Sequence, residues 1–156
     1  ICWVLTSTAL VRSKVVVAAG GFDESLPFSE DWDFWLRLTR VSQFLKLREA
    51  TTLYRQHSSQ GSRITRPVDY RTRLLEDASR KWGLCSQDGR CVSPKRFKRQ
   101  LAGYCAGFGL GHLKGGEGAS RVIAAKSFLK AWSIDRRYWR TLVYLAAMAI
   151  GWKPKW

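Results

Sequence analysis

The sequence predicts an α/β chain in two parts: a few strands with helices over residues 1–66, then a basic α-helical domain over residues 67–156. Three observations carry this. The runs that read as strands, Trp3–Val11, Phe44–Leu47 and Thr51–Arg55, all lie before residue 56. Beyond Pro67 each apolar run has helical spacing and its own start and stop residues. Charge divides at nearly the same place: residues 1–60 hold seven Lys/Arg against six Asp/Glu, and residues 61–156 hold twenty against six. A chain of 156 residues can bury one good core.

Trp3 to Val11 is β-favouring, with alternating Thr and Ser, and reads as the first strand. Ser13 opens a short helix that runs through Ala19 and stops at Gly20-Gly21. Pro27 breaks the loop that follows, and Ser29 is placed to cap a helix running to about Val41. That helix carries Trp32, Phe34, Trp35, Leu36, Leu38 and Val41, so it is apolar around most of its circumference and should be largely buried. Phe44–Leu47 and Thr51–Arg55 read as two further strands, separated at Glu49-Ala50. Gln56 to Arg66 is polar, punctuated by Gly61 and Pro67, and reads as a loop.

The helical part follows. Asp69–Trp82 is bounded by Gly83. Ser93-Pro94 pairs an N-cap with proline at the first helical position and opens a helix through about His112, whose imidazole reads as a C-terminal cap. Gly115-Gly116 separates this from Gly118–Trp132, and Asp135–Ile150 is the last helix. The segment Gly116 to Asp135, with small residues at packing positions, resembles one degenerate tetratricopeptide-like hairpin, a single unit where an array needs about three. Around Leu142–Ile150 only about a dozen uncharged residues run together, short of the ~20 that span a bilayer. Arg136, Arg137, Arg140, Lys153 and Lys155 with Tyr138, Trp139, Trp152 and Trp156 suit an interfacial helix, and packing as a final core helix is equally open. Of the four cysteines only Cys85 and Cys91 lie close, across a Ser86–Arg90 turn; no zinc set forms there, and with no signal peptide in view reduced thiols are preferred over a hairpin disulfide.

The acidic stretch between Gly20 and Leu38 is the functional candidate. It places five carboxylates within eleven positions, from Asp23 to Asp33, in a strongly basic chain. Glu30 and Asp31 fall in the first helical turn, where the helix dipole favours negative charge. Asp33 and Arg37, four apart, can form an ordinary surface pair. Asp31 has Phe34 and Trp35 at those spacings and lies about 200° from Asp33 around the axis, so it has no cation on its helix and no evident structural role. An acid that merely favours the helix start reads the same way.

Gly-Gly-Phe-Asp-Glu-Ser-Leu at residues 20–26 and Ser-Glu-Asp-Trp-Asp-Phe-Trp-Leu-Arg-Leu at 29–38 resemble the C-terminal half of the catalytic domain of family 2 glycosyltransferases. The likeness begins at Thr6-Ser7-Thr8-Ala9-Leu10-Val11-Arg12 and extends to Leu53-Tyr54-Arg55-Gln56-His57, so that it covers roughly residues 3–62. It implies a GT-A-like fold and sugar transfer from a nucleotide-diphosphate sugar to an acceptor hydroxyl with inversion. It also implies Asp31 as catalytic base and His57 as a group near a divalent metal, magnesium or manganese. Glu30, Trp32, Trp35 and Arg55 become substrate-binding candidates, although both tryptophans suit a core as well. The only Asp-x-Asp is Asp31-Trp32-Asp33, inside the matched stretch, so most metal ligands are expected on an N-terminal half outside this chain. The chain on this reading is a fragment, inactive alone, of a cytoplasmic enzyme resting peripherally on the inner face of the membrane.

The expected partners are therefore a nucleotide-sugar donor, a glycan or lipid-linked acceptor and, for the basic half, an anionic membrane surface. A different class is a basic helical module that binds membrane or nucleic acid without catalysis. No nucleic-acid-binding motif occurs, so nucleic acid is the lesser expectation.

Overall fold

The computed structural model of the chain describes residues 4–57 and 64–152. A 3₁₀ turn at Thr6–Thr8 is followed by α1 (Ser13–Ala18), α2 (Glu30–Leu38), α3 (Tyr70–Trp82), α4 (Pro94–Lys114) and α5 (Arg121–Ile134). A second 3₁₀ turn, Arg136–Tyr138, leads into α6 (Arg140–Ala149).

Among the described residues there is no strand and no sheet, which overturns the expected α/β class and its GT-A-like strand core. The reason is pairing. A strand needs a neighbour for its backbone N–H and C=O groups. Within the first expected strand, Thr8 instead returns both its amide and its hydroxyl to the Leu5 carbonyl and coils the chain into a 3₁₀ turn. The runs at 44–47 and 51–55 lie without secondary structure, and Leu53 is fully exposed. The one bridge among the described residues joins Cys85 to Cys91, and these two form a disulfide, so the preference for reduced thiols is corrected. Inside that turn Asp88 accepts from the side chains of Arg90 and Ser86, and the Arg90 bond first holds its carboxyl well below the usual carboxylate range. Cys2, by contrast, lies outside the described residues.

The helices form where caps and periodicity place them. Asp69 caps α3 by accepting from the Thr72 amide at 3.0 Å and from its hydroxyl. Ser93 and Ser120 cap α4 and α5 through the amides of Arg96 and Ile123. Gly83 ends α3 at φ 70°, a conformation that glycine adopts without strain.

Among the described residues the packing falls into an N-terminal centre and a C-terminal one, the latter made of two clusters along α4 and α5. In the N-terminal one, Phe34, Trp35 and Leu38 of α2 meet Val11, Val15, Val16 and Ala19. In the C-terminal one, α4 and α5 pack closely because Gly109 leaves room for the Phe128 ring; a Cβ there would lie 2.7 Å from Phe128 Cε1 and 3.1 Å from the Ala124 carbonyl. Tyr144, Leu145 and Met148 of α6 pack against Leu113, Ala124 and Phe128. The Gly116–Asp135 segment thus contains one helix paired with α4, not the hairpin its small residues suggest. His112, expected to cap the C-terminus of its own helix, is buried and bonded to other segments instead. Its Nδ1 accepts from the Ser120 amide at 3.0 Å, so the proton sits on Nε2, which donates to the Arg66 carbonyl at 2.9 Å. No helix among the described residues is long and apolar enough to cross a membrane.

Two glycines of α4 should respond oppositely. Gly109→Ala forces the Phe128 contact and should destabilise by roughly 1–3 kcal/mol, less the ~1 kcal/mol of helix propensity gained. Gly107, with nothing within 4 Å of its would-be Cβ, should accept alanine with a gain of up to ~1 kcal/mol. Urea unfolding of both variants checks the sign. Burial also pushes the Cys105 thiol up, against a weak contact with the Thr72 hydroxyl at 3.8 Å. Iodoacetamide at pH 8 should therefore leave Cys105 unmodified in the folded chain and label it fully in urea, as peptide mapping reads directly.

Candidate functional site

The site is built from the turn after α1 and the helix α2. Gly20 and Gly21, at φ 78° and 66°, fold the chain back so that the carbonyls of Ala19 and Gly21 point at one guanidinium. Arg37 supplies it. Its Nη1 donates to Ala19, its Nη2 to Gly21 at 2.7 Å, and its Nε to Asp33 Oδ2 at 2.8 Å. The side chains of Arg37 and Asp33 are only 20% and 19% exposed, so the expected surface pair is instead a half-buried tie between two segments. Phe22 packs on Phe34 with ring centroids 4.4 Å apart. Asp23 accepts from the Ser25 hydroxyl and amide, which holds its carboxyl below the usual range. The Gly-Gly-Phe-Asp and Asp-x-x-x-Arg elements are thus two halves of one joint.

At the start of α2 the local chemistry departs from expectation. Ser29 sits at the cap position in a left-handed conformation, φ 62°, and its hydroxyl makes no cap bond. Asp31 compensates in part, since its Oδ1 accepts from the Trp32 amide at 2.8 Å. Its spacing suggests an acid without a structural role, and that expectation is corrected. Among the described residues its Oδ2 has no hydrogen bond and the residue makes no ion pair. The side chain is half-buried, and Glu30 beside it is exposed.

Around this end of α2 lies an open cleft of about 400 Å³, bordered by Phe28 and Ser29, by Arg66 and Arg71, and floored by Tyr104 and Gly107 of α4. The Arg71 guanidinium lies 4.5 Å from the Trp32 ring and 5.4 Å from Tyr104, and Arg66 lies 3.8 Å from Phe28. Such stacking holds a guanidinium in place against the aromatic face while its charge is kept. Asp31 itself lines neither this cleft nor a second one at Gly20, Asp23, Asp33, Arg37 and Lys81.

The remaining candidates are dispersed. Trp35 is buried in the N-terminal core, and among the described residues its indole N–H has no partner, whereas Trp32 stays beside the cleft. Arg55 and His57 lie on the exposed 51–57 segment and line neither cleft. Ser58, Ser59, Gln60, Ser62 and Arg63 lie outside the described residues. Among the described residues no three His, Cys, Asp or Glu side chains come together as a metal-binding group. The cleft arginines escaped the sequence reading. Their one signal was position: Arg66 and Arg71 flank the Asp69 cap at the point where two segments must meet.

Removing the tie should show in stability. Arg37→Ala should lower unfolding free energy by roughly 1–3 kcal/mol, because Asp33 and two carbonyls lose a charged donor. Arg37→Lys should recover less than half, since an ammonium cannot reach three acceptors in a fixed fork. Denaturant midpoints of the two variants measure this.

No curated protein and no solved structure matches the chain. The profile described as glycosyltransferase like family 2 matches residues 4–85, more than half of the chain. The match takes in α1, the clamped turn, α2 and α3, and so runs past the division expected at residue 66. With its Gly-Gly turn and acidic helix locked together inside that match, the chain belongs to the glycosyltransferase-like family 2.

Proposed function

We propose that this chain carries the acceptor-activating part of an inverting sugar transfer from a nucleotide-diphosphate sugar to the hydroxyl of a glycan or lipid-linked acceptor. The observation that carries the reading is the family match over α2, joined to the state of Asp31 there: one carboxylate oxygen fixed by a peptide N–H and the other unengaged among the described residues. In the proposed step the acceptor oxygen bonds to the anomeric carbon as its proton passes to Asp31 Oδ2. The carbon–oxygen bond to the diphosphate breaks, and the diphosphate leaves with the electron pair. Trp32 supplies an apolar wall beside the acceptor, and Glu30 an exposed polar contact at the rim. Arg66 and Arg71 offer positive charge within the adjoining cleft, and Arg55 and His57 are assigned to the donor's phosphates.

The test is Asp31→Asn in the intact protein, with donor affinity measured separately from turnover. Transfer should fall by about 10²–10⁴-fold, the usual share of a positioned general base, while donor affinity stays within a few-fold. Turnover within a few-fold of the parent would remove Asp31 from the mechanism.

A further inference from the structure

We propose that the outward face of α6 docks on an anionic lipid bilayer. This goes beyond the sugar-transfer reading and does not depend on it. The inward face of α6 is accounted for: Tyr144, Leu145 and Met148 pack on the C-terminal core, and the buried Thr141 hydroxyl donates to the carbonyls of Phe128 and Tyr138. The opposite face is not polar, as that of a helix turned to water normally is. Trp139 is 56% exposed, Val143 53% and Ile150 84%, with Ala146 exposed between them. At 100° per residue Trp139, Val143, Ala146 and Ile150 fall within about 60° of one another, which makes a single apolar stripe along the helix.

Cations edge that stripe. Arg136, Arg137 and Arg140 are exposed at its start, and Arg121, which donates to the Met148 carbonyl, stands near its end. Arg136 stacks on Trp132 at 3.6 Å, and Arg140 lies 5.8 Å from Trp139. Between residues 121 and 152 there are six Lys/Arg and one acid, Asp135. Asp135 is already engaged with the Arg137 amide and sits 3.9 Å from Arg99. Trp139 at the start of the stripe is an amphipathic ring of the kind that settles at headgroup level. With ten residues α6 is about 15 Å long, so it would lie in the interface and not span it. Lys153, Lys155 and Trp156 lie outside the described residues.

Charge selects among occupants. A second copy docked through the same face would set Arg136, Arg137 and Arg140 against their own duplicates. A nucleic acid would use the cations but leave Val143 and Ile150 with no reason to be apolar. An anionic bilayer uses both features.

Flotation of the chain with vesicles tests this. Vesicles of phosphatidylcholine with about a third phosphatidylglycerol should bind the protein at low salt, phosphatidylcholine alone should bind it at least tenfold more weakly, and added salt should release it. Val143→Glu/Ile150→Glu should weaken binding by about tenfold per site. Arg136→Ala, Arg137→Ala and Arg140→Ala should each cost about fivefold. Should the double glutamate variant lose its helical circular dichroism, quenching of tryptophan fluorescence by brominated lipid takes its place, with strong quenching expected in the unaltered chain and a clearly smaller quenched fraction in Trp139→Phe. Equal binding to both vesicles, absence of quenching, or arginine variants that weaken binding while the folded glutamate variant binds normally would each overturn the proposal. A dimer in sedimentation that the glutamate variant dissolves would assign the face to a second copy instead.

Discussion

The guanidinium of Arg37 is the constraint on which the N-terminal half depends. It is the group that holds the turn after α1 and the interior of α2 together, through two backbone carbonyls and the Asp33 carboxylate. The geometry demands particular residues. Two consecutive left-handed positions need glycine, so that the carbonyls on either side face inward. The cation must be arginine, since only a planar fork reaches three acceptors at once. The acid must stand one turn before it. Two short sequence elements about ten residues apart are in this way a single structural unit, and Phe22 against Phe34 closes its apolar side.

That unit gives Asp31 its setting. With α2 fixed at its centre, the first turn is left to organise itself, and it does so without a serine cap. Asp31 fills the gap with one oxygen and keeps the other unengaged among the described residues. An acid used only for helix capping and an acid prepared to accept a proton would look alike in sequence. They differ in what surrounds the second oxygen, and here neither cleft reaches the residue itself. The role proposed for Asp31 rests on the family match and on that oxygen together.

Much of the local structure was legible in the sequence. The Ser93-Pro94 start of α4 and the glycine after Trp82 act through neighbours a few residues away, and α3 and α4 appear close to where these signals put them. The Ser120 cap that starts α5 was not read. What failed depends on distant partners. Phe44–Leu47 and Thr51–Arg55 have strand composition, but composition cannot supply a neighbouring strand, and none pairs with them among the described residues. His112 read as a cap of its own helix because the Ser120 amide and Arg66 carbonyl that enclose it come from elsewhere in the chain. The pair of Asp33 and Arg37 was visible at its spacing, yet its depth was not, since the carbonyls that complete it belong to the preceding turn. The cleft arginines stayed hidden for the same reason: stacking on Phe28 and Trp32 is a contact between segments.

The central claim is that one guanidinium couples the Gly-Gly turn to α2 as a unit distinct from the helical tail. Amide hydrogen exchange on the parent chain and Arg37→Gln measures it directly. Exchange should accelerate together over Val15–Gly21 and Asp33–Leu38 in the variant, with α4 and α5 keeping their protection. Unchanged exchange in the turn, or an equal loss across α4 and α5, would contradict the account.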